Sequence, residues 1–138
     1  MEEADLVILG AGIYGLTTAH TFHRLHPSAK ILILDSAPSI GGPWAPQRIF
    51  PGLRTNNLWG MFEHPDFPMD EERFRVKRGE HIPAIRMYDY LEAFVDWADI
   101  KQFLRLRTAV EFIERDDYGE GWIIHLSLIH ISEPTRPY

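Results

Sequence analysis

Two groups of residues have the types and spacing to do chemistry. The first is Gly10-Ala-Gly12-Ile13-Tyr14-Gly15, followed twenty positions after Gly15 by Asp35. Gly10 permits a tight turn, Gly12 lets the backbone approach a pyrophosphate, and Gly15 lets a helix pack closely on the preceding strand. A helix that starts in such a turn offers free N–H groups and a partial positive charge to phosphates. The Asp35 carboxylate can accept hydrogen bonds from a ribose diol and would repel a 2′-phosphate. The site therefore suits FAD or NAD rather than NADP, and the bare fingerprint does not choose between those two. The second group is Gly41-Gly42-Pro43-Trp44, a glycine pair just after the acidic position.

These spacings have meaning only on the right scaffold. Asp5-Leu-Val-Ile-Leu9 is a short run of branched apolar residues, suited to a buried parallel strand. Ile13, Leu16, Ala19, Phe22 and Leu25 recur as one helical stripe, and Pro27 and Ser28 end the helix. Lys30-Ile-Leu-Ile-Leu-Asp35 is a second buried-type strand. Strand, helix and strand in about thirty residues predict a βαβ unit with a right-handed crossover. Ser36 to about Ile85 is rich in proline, glycine and scattered aromatics, which predicts an ordered excursion with one or two short helices. Met87–Ala98 reads as a second helix with Met87, Leu91, Phe94, Val95 and Ala98 on one stripe. Phe103–Arg107 is a short strand candidate. Val110–Arg115 and Trp122–Leu126, separated by a turn cluster, read as a hairpin.

The chain has 138 residues, 45% hydrophobic and 25% charged, with a net charge of -6. That is the profile of a folded domain. An acidic balance gives no global reason to bind nucleic acid or an anionic membrane. With no cysteine, disulfides, thiolate metal sites and a cysteine nucleophile are excluded. The acidic start, Met1-Glu2-Glu3, does not read as a signal peptide, and no apolar run reaches a membrane span, so a cytoplasmic setting is expected. No metal site is expected: His20 and His23 are three apart and read as solvated helix surface. Trp97 and Phe94 read as core, Trp122 as packing on its hairpin, and Arg73, Arg75, Lys77 and Arg78 as a solvated face between acidic residues.

From residue 5 to about 125 the chain resembles the class B flavin-dependent monooxygenases, the flavin-containing and the Baeyer–Villiger enzymes. The resemblance rests on the fingerprint with Asp35, on Gly42-x-Trp44, and on Phe50-Pro-Gly-Leu-Arg-Thr-Asn56-Asn57. It continues in Phe67-Pro68, in Tyr90-Leu91-Glu92, and in Arg107-Thr-Ala-Val110 before Trp122. It implies an α/β fold: a Rossmann-like FAD-binding βαβ with a parallel sheet, a long irregular insertion and a β-hairpin, incomplete as a domain. By the same resemblance Gly10, Gly12, Ile13, Tyr14 and Gly15 line the pyrophosphate and Asp35 takes the adenosine ribose. Gly42 and Trp44 lie along the phosphate–ribityl side, and Val110 meets the adenine through its backbone. Asn56 faces the isoalloxazine as the catalytic residue. An asparagine there matches the flavin-containing branch, whereas Phe50-Pro51-Gly52 looks like the Baeyer–Villiger branch.

The implied chemistry is an NADPH-dependent monooxygenation. FAD is reduced by NADPH and reacts with O2 to a C4a-hydroperoxide, which oxygenates a nucleophilic N or S or a ketone of a small-molecule substrate. The chain holds no second glycine fingerprint, so the NADPH site is expected outside it and the chain alone is expected to be inactive. Two other readings stand beside this one: another FAD- or NAD-dependent oxidoreductase of the two-dinucleotide or amine-oxidase type, and a non-enzymatic nucleotide-binding module. Residues 1–125 are expected to be the N-terminal part of the FAD-binding domain. Residues 126–138, beginning Leu126-Ser-Leu-Ile-His-Ile-Ser, resemble a translated sequencing adapter and are expected to be non-native.

Overall fold

The computed structural model describes residues 1–128. Its centre is a three-stranded parallel sheet of β1 (Leu6–Leu9), β2 (Ile31–Leu34) and β5 (Leu104–Arg105), with β2 in the middle. β1 and β2 pair in register from Leu6 with Ile31 to Leu9 with Leu34. Helix α1 (Ile13–Leu25) makes the crossover between them, as the apolar periodicity predicts. The short strand β5 is preceded by a 3-10 turn, Lys101–Phe103, so the strand expected over 103–107 is shorter than its apolar alternation suggests.

The helix expected over 87–98 is α3, Ala84–Trp97, which starts a turn earlier because Pro83 provides its N-cap backbone. Met87, Tyr90, Leu91, Phe94 and Val95 of α3 join Ile8, Ile31 and Ile33 of the sheet and Leu16 and Ala19 of α1 in one core. Each large side chain buried there contributes about 1.5–3 kcal/mol. Leu25 continues the α1 stripe but is 64% exposed.

The excursion between β2 and α3 is ordered. It contains 3-10 turns at Gly42–Trp44 and Pro46–Arg48, then strand β3 (Arg54–Leu58), the single-turn helix α2 (Glu71–Phe74) and strand β4 (His81–Pro83), which pairs antiparallel with β3. Side chains bind it to the core. The Tyr90 hydroxyl donates to the Phe67 carbonyl at 2.6 Å and accepts the His64 N–H at 2.7 Å. Buried Thr55 donates its hydroxyl to the Asn57 carbonyl and accepts the Ile82 N–H, joining β3 to β4. The indole of Trp59 donates to the Met69 carbonyl at 2.9 Å.

The hairpin comprises β6 (Thr108–Arg115) and β7 (Trp122–Leu128), antiparallel with a register shift between Val110 and Phe112. β7 includes the first three residues of the segment expected to be non-native; residues 129–138 lie outside the described residues.

Three burial expectations are corrected. Trp97 is not core but 47% exposed, its ring stacked on Phe67 at 5.1 Å. Trp122 is 63% exposed, with the Arg115 guanidinium 4.9 Å over its ring rather than an apolar neighbour. His20 is not solvated: it is only 7% exposed, because the excursion folds over its face of α1. The basic run is exposed as expected, and Arg73 lies over Phe67 and Phe74 while Arg78 lies over Trp59.

Candidate functional site

The C-terminal end of β1 turns directly into α1 through the glycine fingerprint. Gly10 has φ +104°, the left-handed region that glycine enters without a steric penalty. Gly15 is required by contact instead. A Cβ there would sit 2.0 Å from the Gly10 carbonyl oxygen, so helix and turn close on each other only with glycine. Gly12 is the N-cap of α1 and no side chain caps the helix. The N–H groups of Ile13, Tyr14 and Gly15 therefore fall among those that find no acceptor inside the helix. No acid stands in the first turn, and His23 and Arg24 stand in the last, so α1 presents an uncompensated positive end.

The second glycine pair meets this end. Gly42, at φ +57°, faces Gly12 so closely that a Cβ on Gly42 would lie 3.4 Å from the Gly12 Cα. The approach is tied by the Gly41 N–H donating to the Ala11 carbonyl at 2.9 Å and by Arg48 donating to the Gly42 carbonyl at 2.8 Å. Trp44 follows, half-buried, edge-on to Phe62.

Asp35 lies at the end of β2. Its Oδ2 accepts the Ala11 N–H at 2.7 Å and its Oδ1 accepts the Ala37 N–H at 2.8 Å. Each oxygen keeps a second lone pair, so the half-buried carboxylate can hold the loop and still accept from a diol. Ala11, an unspecified position in the fingerprint, is thus the hub: fully buried, it gives its N–H to Asp35 and its carbonyl to Gly41. The fingerprint pattern carries no signal for that role. The start of β6 is stitched to the same corner, with the Thr108 N–H on the Asp35 carbonyl at 2.9 Å and the Arg107 N–H on the Ala37 carbonyl at 3.0 Å. Val110 lies two residues on, half-buried.

The structure therefore gathers Gly10, Gly12, Gly15, Asp35 and Gly42 at one corner, with Trp44 and Val110 leading away from it. Asn56 stands apart. Its side chain is exposed on β3, and it is Asn57 that lines the neighbouring cavity of about 650 Å3. Ile13 and Tyr14 line that cavity with Phe62, His64 and Tyr90. Burial holds the His64 imidazole below the ordinary histidine range, helped by the nearby His20 ring, while burial pushes the Tyr90 hydroxyl up to about 12.

A parallel βαβ with an unblocked helix N-terminus and a double-glycine cradle defines a dinucleotide-binding unit of the Rossmann kind. Residues 8–68 match the family model described as an NAD(P)-binding Rossmann-like domain. The chain is 35% identical over 126 residues to the FAD-dependent monooxygenase DEP4 of Fusarium langsethiae, covering 91% of this chain and 21% of that protein. The same fold occurs in a steroid monooxygenase bound to NADP, with TM-score 0.69 and 25% identity over 89% of this chain and 23% of that one. It recurs in an open form of cyclohexanone monooxygenase, with TM-score 0.75 and 22% identity over 91% of this chain and 24% of that one. The chain is related to FAD-dependent monooxygenases and spans about a fifth of the length of the relatives it matches. No helix among the described residues is long and apolar enough to cross a membrane.

Proposed function

We propose that this chain is the N-terminal FAD-binding portion of an NADPH-dependent flavin monooxygenase. The observation that carries the reading is the Gly12–Gly42 approach over the bare N-terminus of α1, a cradle of two facing glycine backbones with Gly42 in the left-handed region at φ +57°. It fits the pyrophosphate of FAD: the N–H groups of Ile13, Tyr14 and Gly15 would hold the phosphates, and the outer lone pairs of Asp35 would take the adenosine ribose. The half-buried Trp44 would border the ribityl chain, and Val110 would offer its backbone to the adenine. Asn56 would face the isoalloxazine. When bound, FAD supplies the redox chemistry by which O2 is activated. The chain's own residues bind and orient it, and the NADPH site and most substrate contacts belong to the rest of such a protein.

Two substrate classes follow from different observations. The Asn56 position supports oxygenation of a nucleophilic N or S. The Phe50-Pro51-Gly52 segment, which resembles the Baeyer–Villiger branch, supports a ketone. We further propose that residues 1–125 are the native part and that 126–138 are foreign; codons for 126–138 that do not spell an adapter would end that proposal.

The test of the site is a titration of the chain with FAD and with ADP, read by flavin fluorescence and competition. Saturable binding that Gly12→Ala weakens at least tenfold is the expected result. Binding unchanged in that variant would remove the site. For the whole protein, a longer gene product should be yellow and should consume NADPH with a sulfide or a ketone.

A further inference from the structure

The burial of His20 creates a cluster that the nucleotide site does not use. His20 on α1 and His64 and Asp66 in the excursion each present one ligand atom, all within 4.8 Å of one another. His20 Nε2 lies 3.3 Å from Asp66 Oδ2, and the two residues are 46 positions apart. We propose that His20, His64 and Asp66 form a binding site for a divalent transition-metal ion of the zinc class, which pins the excursion to α1.

The donor set and the geometry agree. Two imidazoles and a carboxylate are borderline donors of the kind zinc takes, with a fourth position left for water. Bonds of about 2.0–2.1 Å in a tetrahedral arrangement separate neighbouring donors by about 3.3 Å. The His20–Asp66 distance matches that bite, whereas it is long for a hydrogen bond. The His64 ring stands edge-on to His20 at 5.2 Å. Its Nδ1 accepts the Asp66 N–H at 3.1 Å, a bond the ion must displace, because a ligating neutral imidazole gives its one lone pair to the metal and carries its proton on the other nitrogen. His20 is buried against Phe94 and Trp97, so its orientation is set by packing. His64 and Asp66 line the cavity of about 650 Å3, which gives an ion and its water a route in.

A charged group also opposes the ion. Arg24 Nη1 is 3.1 Å from the same Asp66 oxygen. Its side chain is 60% exposed, so it can swing into solvent when a doubly charged ion takes its place. This competition supplies a signature that mere packing lacks: removing the guanidinium should strengthen metal binding.

The experiment is a titration of the chelator-treated 138-residue chain with Zn2+, read by thermal unfolding, and with Co2+, read by the visible bands of a tetrahedral ion. The chain has no cysteine, so no thiolate competes. One ion per chain is expected. His64→Gln and Asp66→Asn should each weaken binding about tenfold or more, while Arg24→Gln should tighten it. These three positions are half-buried or exposed, so the variants avoid the cavity that His20→Ala would open. No saturable uptake at sub-millimolar Zn2+ would overturn the proposal. So would uptake that survives both His64→Gln and Asp66→Asn, which would place the ion on other histidines.

Discussion

Asp35 Oδ2 accepts the Ala11 N–H at 2.7 Å, joining the end of β2 to the middle of the glycine turn across 24 positions of chain. The second carboxylate oxygen closes on the Ala37 N–H two residues further on. The residue that would receive a ribose is therefore also the one that shapes the phosphate-binding loop. Binding and loop geometry share a single side chain.

That sharing makes Asp35→Asn informative. The amide keeps one acceptor oxygen and loses the other, and its NH2 faces a backbone donor. A charge-assisted bond is worth about 1.5–3 kcal/mol, so a loss of that order is expected in urea unfolding, with FAD or ADP affinity reduced more than tenfold. Unchanged stability with reduced affinity would mean that the Ala11 bond does not shape the loop.

Gly12 and Gly15 should fail in different ways. A Cβ on Gly15 would meet the Gly10 carbonyl oxygen at 2.0 Å, backbone against backbone, so Gly15→Ala should unfold well below the parent temperature. A Cβ on Gly12 meets nothing nearer than the Gly42 Cα at 3.8 Å, so Gly12→Ala should melt close to the parent and lose nucleotide binding. Thermal unfolding beside an ADP titration separates the two, and identical behaviour of the variants would contradict the assignment.

Tyr90→Phe removes a hydroxyl that serves both the Phe67 carbonyl and the His64 N–H. Leaving them unpaired should cost about 1–3 kcal/mol. The same hydroxyl predicts an alkaline limb. Burial raises Tyr90 to about 12, above the value near 10 of an unfolded tyrosine, so the folded chain keeps this proton longer. Its contribution is complete below about pH 10 and is lost as the pH rises toward 12. Tyr88, also raised to about 12 by burial and by its bond to Glu92, adds to the limb, so Tyr90→Phe should shrink it without abolishing it. A limb equally steep in the variant would count against the Tyr90 hydrogen bonds.

At the acid end the relevant group is Glu2. Its bonds to Arg105 at 2.6 Å and to Lys30 at 3.2 Å hold its carboxyl at about 2. A depressed carboxylate stabilises the fold above its unfolded value and loses that effect as the pH falls through its folded one. Stability followed from pH 5 to pH 2 should therefore fall less in Glu2→Gln than in the parent. The difference should be small, because the cluster lies in solvent.

Much of this molecule is legible in local pattern. The Gly10–Gly15 turn, the α1 and α3 stripes and the hairpin each follow from residues close together in the chain, because turn torsions and helical or alternating burial are short-range properties. Side-chain periodicity therefore predicts the βαβ unit with Asp35 at its end. It does not predict which face the excursion covers. Only the tertiary structure buries His20 beside Asp66, brings Gly42 against Gly12, makes Ala11 the hub of the loop, and turns the Tyr90 hydroxyl toward Phe67. These contacts join segments 23 to 46 positions apart, and they depend on how the chain returns over α1 rather than on any spacing within it. Trp97 and Trp122 make the same point in reverse. Both have core-forming side chains, yet Trp97 keeps only one side of its ring on Phe67 and His20, and Trp122 lies under the Arg115 guanidinium rather than an apolar segment.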